Sequence, residues 1–356
     1  MNSQSILDDG LSLVVSPEYA IALVETQFTR HRDQNWLQLR SQTHAWTVAR
    51  GLLPPDIARI HANGLRYVNL VAGYYVDAPA KALRTILDFS IWFFIWDDHH
   101  GRYALHGHDR RWGRLRDALH IVLSEPSLHT NDPDPLVAGL ADCVQRFYQQ
   151  LDERWNKRFA THFHAVIEAY DREYHERIAQ LVPSVEDYLA LRRHTFGYEV
   201  WIDCLELAAG QALPRDVIDW PEYRDAGLAS QEFSGWYNDL CSLPKELASG
   251  ELHNLGISLI HHHDLSMPEA IAEVRRRVTS RVKDFLRAEQ TLLRRLASEQ
   301  LAPEMEGAVR HCLSNMRNWI SSVYWFHHES GRYRVEEWED RAQPPYVRDM
   351  CLKEDM

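Results

Sequence analysis

Three oxygen-bearing side chains recur at four-residue intervals in one short segment of the chain. Asn238, Ser242 and Glu246 lie in the sequence YNDLCSLPKE, which runs from residue 237 to residue 246. Residues four and eight positions apart stack along one face of an α-helix about 6 Å apart, so these side chains would point to one spot. Hard oxygen donors suit Mg²⁺ and leave room for water and phosphate. The spacing predicts a magnesium site for a phosphorylated substrate, although such residues can also form an ordinary solvated face.

A second acidic cluster follows a strongly apolar segment. The sequence IWFFIW at residues 91–96 leads directly into Asp97 and Asp98. Two adjacent carboxylates at the end of a buried helix are costly unless cations neutralise them. The alternative is a helix that leaves the core at Asp97, with residues 99–102 as an ordinary polar exit. Because histidine is a poor magnesium ligand, His99 and His100 are predicted to be exposed linker residues. Bound magnesium would account both for the oxygen-bearing residues of the 237–246 segment and for the paired acids at 97 and 98.

Together, the two segments resemble the class I terpene synthases, and in particular the bacterial sesquiterpene cyclases. That family carries an aspartate-rich motif, DDxx(D/E), and a later motif of the form NDxxSxx(K/R)E, both on helices that face one cavity. The later motif is complete here in Asn238, Asp239, Ser242, Lys245 and Glu246. The aspartate-rich motif matches in Asp97 and Asp98 but departs at Gly101, where the family has a third acid.

The resemblance implies a role for each matched position. The metal ligands would be Asp97, Asn238, Ser242 and Glu246, which by the same resemblance would hold three Mg²⁺ ions. Asp98 would support them by hydrogen bonding. The diphosphate group of the substrate would be bound by Arg192, Lys245, Arg332 and Tyr333. Arg192 would sense the diphosphate and be linked by Thr195 to an effector position at Phe196, so the predicted catalytic residues are Asp97, Arg192 and Phe196.

Aromatic side chains adjoin each of these elements. The predicted cavity wall consists of Phe93, Phe94, Phe196, Trp201, Trp319 and Phe326. Aromatic faces stabilise a carbocation by cation–π attraction and keep water away from it. Aromatic residues at helical spacing can equally belong to an ordinary core, so their position next to the diphosphate-binding elements is what favours the cavity.

The predicted function is the ionisation and cyclisation of farnesyl diphosphate to a sesquiterpene hydrocarbon or alcohol, with release of diphosphate. Geranylgeranyl or geranyl diphosphate as substrate remains an alternative, as does a non-catalytic isoprenoid-diphosphate-binding protein, which Gly101 suggests. A prenyl-elongating transferase typically needs a second aspartate-rich motif in place of NDxxSxxKE. A di-iron bundle would need Glu-x-x-His pairs, and none of the 20 histidines follows a glutamate at that spacing.

Composition excludes other classes of protein. The 356 residues carry a formal charge of −12, which argues against a nucleic-acid-binding surface, and 45 % are hydrophobic, which supplies a substantial core. No uninterrupted apolar run reaches the roughly 18 residues that span a bilayer. The five cysteines are widely spaced, which favours reduced thiols. The amino terminus is polar and acidic, unlike that of a signal peptide. We expect a cytoplasmic monomer or homodimer.

Prolines divide the chain into segments of helical period and leave no convincing strand. The predicted helices lie near residues 18–43, 80–100, 110–124, 136–180, 184–210, 227–249, 269–299 and 303–330. The histidines at 261–263, followed by Asp264, are interpreted as a polar loop rather than a transition-metal site. The sequence predicts an all-α, single-domain helical bundle around a deep cavity. Residues 17–339 would form the class I terpene synthase domain, with a flexible segment at 1–16 and a carboxy-terminal segment at 340–356.

Overall fold

The computed structural model describes residues 15–56, 58, 66–330 and 333, and these residues form α-helices without a β-strand. The helices are α1 Ala22–Gln27, α2 Trp36–Ala49, α3 Tyr67–Tyr74, α4 Ala80–His106, α5 Asp109–Ser124, α6 Pro126–His129, α7 Pro135–Tyr148, α8 Glu153–Ile178, α9 Val185–Thr195, α10 Tyr198–Ala209, α11 Arg215–Ile218, α12 Pro221–Ser249, α13 Leu255–His263, α14 Met267–Ser298 and α15 Pro303–Glu329. The predicted all-α fold is confirmed.

Helix α4 is the central helix of this bundle. Between Thr85 and Trp96 nearly every side chain is buried, whichever way it points, as expected for a helix that is enclosed on all sides. Helices α2, α3, α7 and α8 pack around it. Its fully enclosed stretch ends next to Asp97, so the paired acids lie at one end of the core.

Helix α12, which carries the motif beginning at Asn238, packs against both α14 and α15. Helix α14 is amphipathic, because its buried residues Ala270, Val274, Val278 and Val282 recur every four positions and form one stripe. Helix α15 packs on α3 and α10 as well. The motif helix is therefore supported along its length by two of the longest helices in the described residues.

Five of the eight predicted helices correspond to single helices, namely α4, α5, α12, α14 and α15. The other three predictions are wrong because each region contains two helices: α1 and α2, α7 and α8, and α9 and α10. No proline marks these divisions. Instead, the Asp152 side chain starts α8 by accepting a hydrogen bond from the backbone nitrogen of Trp155. The short helices α3, α6, α11 and α13 are not among the predicted ones.

The break between α9 and α10 depends on glycine at position 197. Its φ of +75° lies in the left-handed region that residues with side chains rarely adopt. A Cβ atom at this position would also lie 3.3 Å from Trp201 Nε1. The turn redirects the chain directly after Phe196, and the Trp201 indole donates a hydrogen bond to the Phe196 carbonyl oxygen over 2.8 Å.

The prediction that His99 and His100 form an exposed linker is wrong. Helix α4 continues to His106, and both imidazoles are buried. Nε2 of His100 lies 2.8 Å from the carbonyl oxygen of Tyr170, and burial lowers the pKa of both histidines to about 4. The histidines at 261–263 likewise form the last turn of α13 rather than a loop, and their side chains are exposed.

The predicted boundaries at the two ends of the chain stay predictions. Residues 1–14 and 334–356 lie outside the described residues, as does Arg332. Within the ranges that the structure describes, no helix combines the length and the apolar character needed to cross a membrane.

Replacing Gly197 with alanine is expected to lower the free energy of unfolding by about 1–2 kcal/mol, because the methyl group strains the left-handed turn and crowds Trp201. Urea unfolding followed by circular dichroism measures this change. Gly113→Ala is the matched control, since position 113 lies inside α5 with open space around it and alanine there should preserve or raise stability. Equal stability of the Gly197→Ala variant and the parent protein would contradict the proposed strain.

Candidate active site

A cavity of about 500 Å³ opens beside α4 and α12, a volume within the range of small-molecule sites. Helix α4 lines it with Phe93 and Phe94 and, one turn farther along, with Asp97 and Asp98. Helices α3, α8, α9 and α15 contribute to the rest of the wall. One part of the cavity is therefore lined by aromatic rings and an adjoining part by carboxylates.

The three oxygen-bearing residues of α12 face this cavity together. Asn238, Ser242 and Glu246 all line it, in agreement with their spacing along a helix. The side-chain nitrogen of Asn254 lies 3.4 Å from Ser242 Oγ and 2.7 Å from Glu246 Oε2. Asn254 is held there as the N-cap of α13, where its Oδ1 accepts a hydrogen bond from the Gly256 backbone nitrogen. Two motif oxygens thus converge on a single atom.

Asp97 reaches the same cavity from α4 and is oriented by a tyrosine. The hydroxyl of Tyr170, on α8, donates a hydrogen bond to Asp97 Oδ1 over 3.0 Å. The Tyr170 ring stacks on Trp96 with a centroid distance of 4.2 Å. Burial raises the pKa of Tyr170 well above its ordinary value, so the phenol remains protonated and continues to donate.

Arg192 binds two side chains of the α12 motif. Its Nη2 donates to Asn238 Oδ1 over 2.8 Å and lies 2.8 Å from Asp239 Oδ1. The Asp239 carboxylate is buried and accepts a further hydrogen bond from Tyr188 over 2.7 Å. Burial lowers the pKa of Arg192, but the combined interactions with Asp239, Tyr188, Tyr198 and Glu246 more than offset this effect and raise the pKa well above its ordinary value. A charged guanidinium is therefore held beside the cavity.

One nitrogen of the Arg192 guanidinium makes no hydrogen bond to the described residues. The Nε atom of Arg192 is buried and has no hydrogen-bond partner among the described residues, although the side chain lines the cavity. Buried charged donors are normally paired, and the planar guanidinium is well suited to binding the oxygens of an anion. The unpaired donor indicates a place for an anion next to α12.

The Asn238 amide is fixed at both of its polar atoms. Its oxygen accepts from Arg192, and its nitrogen lies 2.9 Å from the Tyr333 hydroxyl and 3.0 Å from His327 Nε2. Nδ1 of His327 lies 2.7 Å from the Val323 carbonyl oxygen, to which it can only donate, so Nε2 is the acceptor for Asn238. Elements far apart in the chain therefore orient a single motif residue.

All six predicted cavity aromatics contribute to the wall, namely Phe93, Phe94, Phe196, Trp201, Trp319 and Phe326. Packing holds the rings in place: Phe94 stacks on Tyr67 at a centroid distance of 3.8 Å, and Phe93 meets the Tyr170 ring edge-on at 6.0 Å. Asp98, Lys245 and Tyr333 also line the cavity. Arg332 lies outside the described residues, so its predicted contact with diphosphate stays a prediction.

Sequence reasoning misses several polar groups in or beside this cavity, namely Tyr170, Glu173, Arg177, Glu251, Asn254 and His327. Their contacts join distant positions, as when Tyr170 meets Asp97 across 73 residues. No local pattern in the sequence indicates such a pair. Asn254 alone carries a local signal, because asparagine is favoured at the N-cap of a helix.

The converging oxygens fit a hard divalent cation better than a transition metal. The available donors are an amide, a hydroxyl and two carboxylates, from Asn238, Ser242, Glu246 and Asp97. Mg²⁺ prefers oxygen ligands of this kind. The contact that Ser242 and Glu246 share with Asn254 demonstrates that two of these oxygens reach one point.

Comparison with known proteins agrees with this geometry. Residues 88–284 match the family model described as terpene synthase family 2, C-terminal metal binding. Over 342 residues, the chain is 51 % identical to epi-isozizaene synthase of Streptomyces coelicolor, with 94 % of each chain covered. It is 29 % identical over 312 residues to pentalenene synthase of Streptomyces avermitilis, covering 87 % of this chain and 92 % of the relative.

Solved structures share the fold at lower sequence identity. A structure of α-eudesmol synthase superposes with a TM-score of 0.73 at 18 % identity, covering 86 % of this chain and 98 % of the other. Germacradien-4-ol synthase of Streptomyces citricolor gives a TM-score of 0.72 at 19 % identity, with the same coverage of both chains. The helical arrangement is therefore one that these two structures share.

Asp239→Asn is expected to lower the free energy of unfolding by about 3 kcal/mol, because the substitution preserves side-chain shape but leaves the partly buried Arg192 charge without its buried carboxylate partner. Chemical denaturation of the metal-free protein measures this loss. The control is Asp219→Asn, which removes an exposed ion pair with Arg215 and should cost less than about 1 kcal/mol. If both variants lose the same small amount, the buried ion pair does not have the structural importance assigned to it.

Proposed function

This chain belongs to the terpene synthase family and is a terpene cyclase, and on that premise we propose that it converts farnesyl diphosphate to a sesquiterpene in a Mg²⁺-dependent reaction. The observation that carries the proposal is the meeting of the α4 and α12 oxygen clusters in one cavity that also has an aromatic wall. The product named for the 51 % identical relative, epi-isozizaene, is the first product to test for.

The proposed metal ligands are Asp97, Asn238, Ser242 and Glu246, with Asp98 in a supporting, hydrogen-bonding role. When bound, the Mg²⁺ ions, three by family resemblance, would neutralise the diphosphate and make it a better leaving group. The residues of the chain prepare this site by fixing the orientation of each donor. Tyr170 holds the Asp97 carboxylate and Asn254 holds the Ser242 and Glu246 oxygens.

Basic residues and a tyrosine would bind the diphosphate oxygens, namely Arg192, Lys245, Arg332 and Tyr333. Arg192 is suited to sensing the anion because its Nε has no partner among the described residues while its Nη2 already contacts Asn238 and Asp239. An anion bound at Nε would therefore act directly on the motif face of α12. The compact ammonium group of Lys245 would add a point charge to this fork of donors.

The effector position at Phe196 follows the arginine by one helical turn. The Arg192 guanidinium lies 5.1 Å from the centroid of the Phe196 ring. The backbone then turns at Gly197, and Trp201 holds the Phe196 carbonyl oxygen. A displacement of Arg192 towards bound diphosphate would consequently be transmitted to this turn, which lines the cavity that receives the isoprenoid chain.

Cleavage of the carbon–oxygen bond would leave an allylic cation in the aromatic part of the cavity. The faces of Phe93, Phe94 and Trp201 would stabilise it, by about 0.5–2 kcal/mol for each well-placed ring, and would exclude water. The cation would then fold against this wall and close its rings. Loss of a proton or capture of water would end the reaction, and the departing diphosphate, held beside the cavity, can accept the proton.

The substrate proposal is tested by incubating the protein with C10, C15 and C20 isoprenoid diphosphates and Mg²⁺. Mass spectrometry of the extracted volatiles should detect a cyclic C15 terpene from farnesyl diphosphate, the substrate that the resemblance to the sesquiterpene cyclases implies. Products from C10 or C20 substrates alone would overturn the choice of farnesyl diphosphate. Bound diphosphate without any volatile product would support the non-catalytic binding protein instead.

Asn238→Ala and Glu246→Ala are each expected to lower Mg²⁺-dependent turnover about a hundredfold or more, because each removes an oxygen from the proposed metal site. Release of pyrophosphate measures turnover, and circular dichroism checks that the fold is intact. Glu306→Ala is the control, since Glu306 forms an i,i+4 surface pair with Arg310 on α15 and should leave turnover unchanged. Undiminished activity in both motif variants would remove α12 from the mechanism.

A further inference from the structure

Gly101, on α4, lines the cavity beside a partly buried arginine from another helix. A Cβ atom at position 101 would lie 3.3 Å from Arg177 Nη1 and 3.8 Å from Glu251 Oε1. Gly101, Arg177 and Glu251 all line the cavity. The space next to the aspartate-rich segment is therefore taken up by a guanidinium and a carboxylate from elsewhere in the chain.

Arg177 bridges two acids on different segments. Its Nη2 lies 2.6 Å from Glu173 Oε1, one turn earlier on α8, and its Nη1 lies 2.7 Å from Glu251 Oε2, in the connection between α12 and α13. Burial lowers the pKa of Arg177. The negative charges of Glu251, Glu173 and Asp97 more than offset this effect, so the pKa lies above its ordinary value. The guanidinium is the positive charge that lets three acids share this part of the cavity.

The bridge joins α8 to the connection after α12 and lies against α4. Arg177 belongs to α8, Glu251 follows the last residue of α12 by two positions, and both approach α4 at Gly101. Charge-assisted hydrogen bonds of this length are among the stronger ones in proteins. The bridge therefore lies where the helix that carries Asp97 approaches the segment just after the helix that carries Glu246.

We propose that Glu251 supplies, through Arg177, the acid that position 101 lacks, and that both are positioning residues that set the distance between the two oxygen clusters. The inference rests on the proposed function, because the oxygen clusters matter only if they act together on a diphosphate. Gly101 leaves room for the bridge, and an acid at 101 and an acid at 251 are alternative partners for the same guanidinium.

The test removes the acid at position 251 and introduces an acid at position 101. Glu251→Gln keeps the shape of the side chain but removes its charge, and should weaken binding of inorganic pyrophosphate in the presence of Mg²⁺ about tenfold. The double variant Gly101→Asp with Glu251→Gln restores one acid within reach of Arg177 and should recover binding to within about threefold of the parent protein. Titration calorimetry measures binding, and thermal unfolding of the metal-free proteins should show the same loss and recovery.

The outcomes separate this inference from the proposed function. Glu306→Gln, in an exposed pair on α15, should change neither readout. The positioning role is overturned if the double variant binds pyrophosphate no better than Glu251→Gln, or if Glu251→Gln binds it as well as the parent protein. It is also overturned if neither variant folds. If the parent protein binds pyrophosphate but forms no terpene, the proposed function fails, whereas loss and recovery of binding would still support the exchange of acids at Arg177.

Discussion

The buried ion pair between Arg192 and Asp239 is the interaction on which the geometry of the site depends. It joins α9 to α12, and removing one partner of such a pair typically costs 3–5 kcal/mol because the other charge is left buried. Asp239 belongs to the α12 motif, but its carboxylate meets Arg192 and Tyr188. The second residue of the motif therefore serves to place the arginine, while its neighbours Asn238 and Ser242 face the cavity.

This pair also explains how a strongly charged region can adjoin an aromatic one. The acids of α4 and α12 would repel each other at the end of a buried core, and Arg177 and Arg192 are two of the cations that oppose this repulsion. Both arginines are held by carboxylates from other segments, so the charges are fixed before any ligand arrives. Preorganised charge of this kind is effective because little reorganisation is needed when new charge develops.

The parts of the fold that follow from local periodicity could be predicted from the sequence. The four-residue spacing from Asn238 to Glu246 places these side chains on one cavity-facing helix surface, and long helices such as α14 and α15 have a proline at their first or second residue. Local capping and a left-handed turn divide other predicted helices, at Asp152 and Gly197. Neither break contains a proline, so helix boundaries predicted from prolines alone miss both of them.

The orientation of the site residues could not be predicted, because it depends on contacts between distant segments. Tyr170 meets Asp97 from another helix, and His327 meets Asn238 from near the end of α15. The same reason accounts for the wrong prediction at His99 and His100: their sequence looks polar, but α4 continues beyond them and neighbouring side chains bury both rings. Tertiary packing, rather than local propensity, decides each of these cases.

In the proposed function, the oxygens of α4 and α12 bind divalent metal and diphosphate together in one cavity. The most direct test is anomalous diffraction from crystals soaked with Mn²⁺, as a substitute for Mg²⁺, and inorganic pyrophosphate. We expect anomalous density next to the Asp97 carboxylate and among Asn238, Ser242 and Glu246, with pyrophosphate between these positions and within reach of Arg192 Nε. Metal density confined to other parts of the protein, with both oxygen clusters empty, would contradict this proposal.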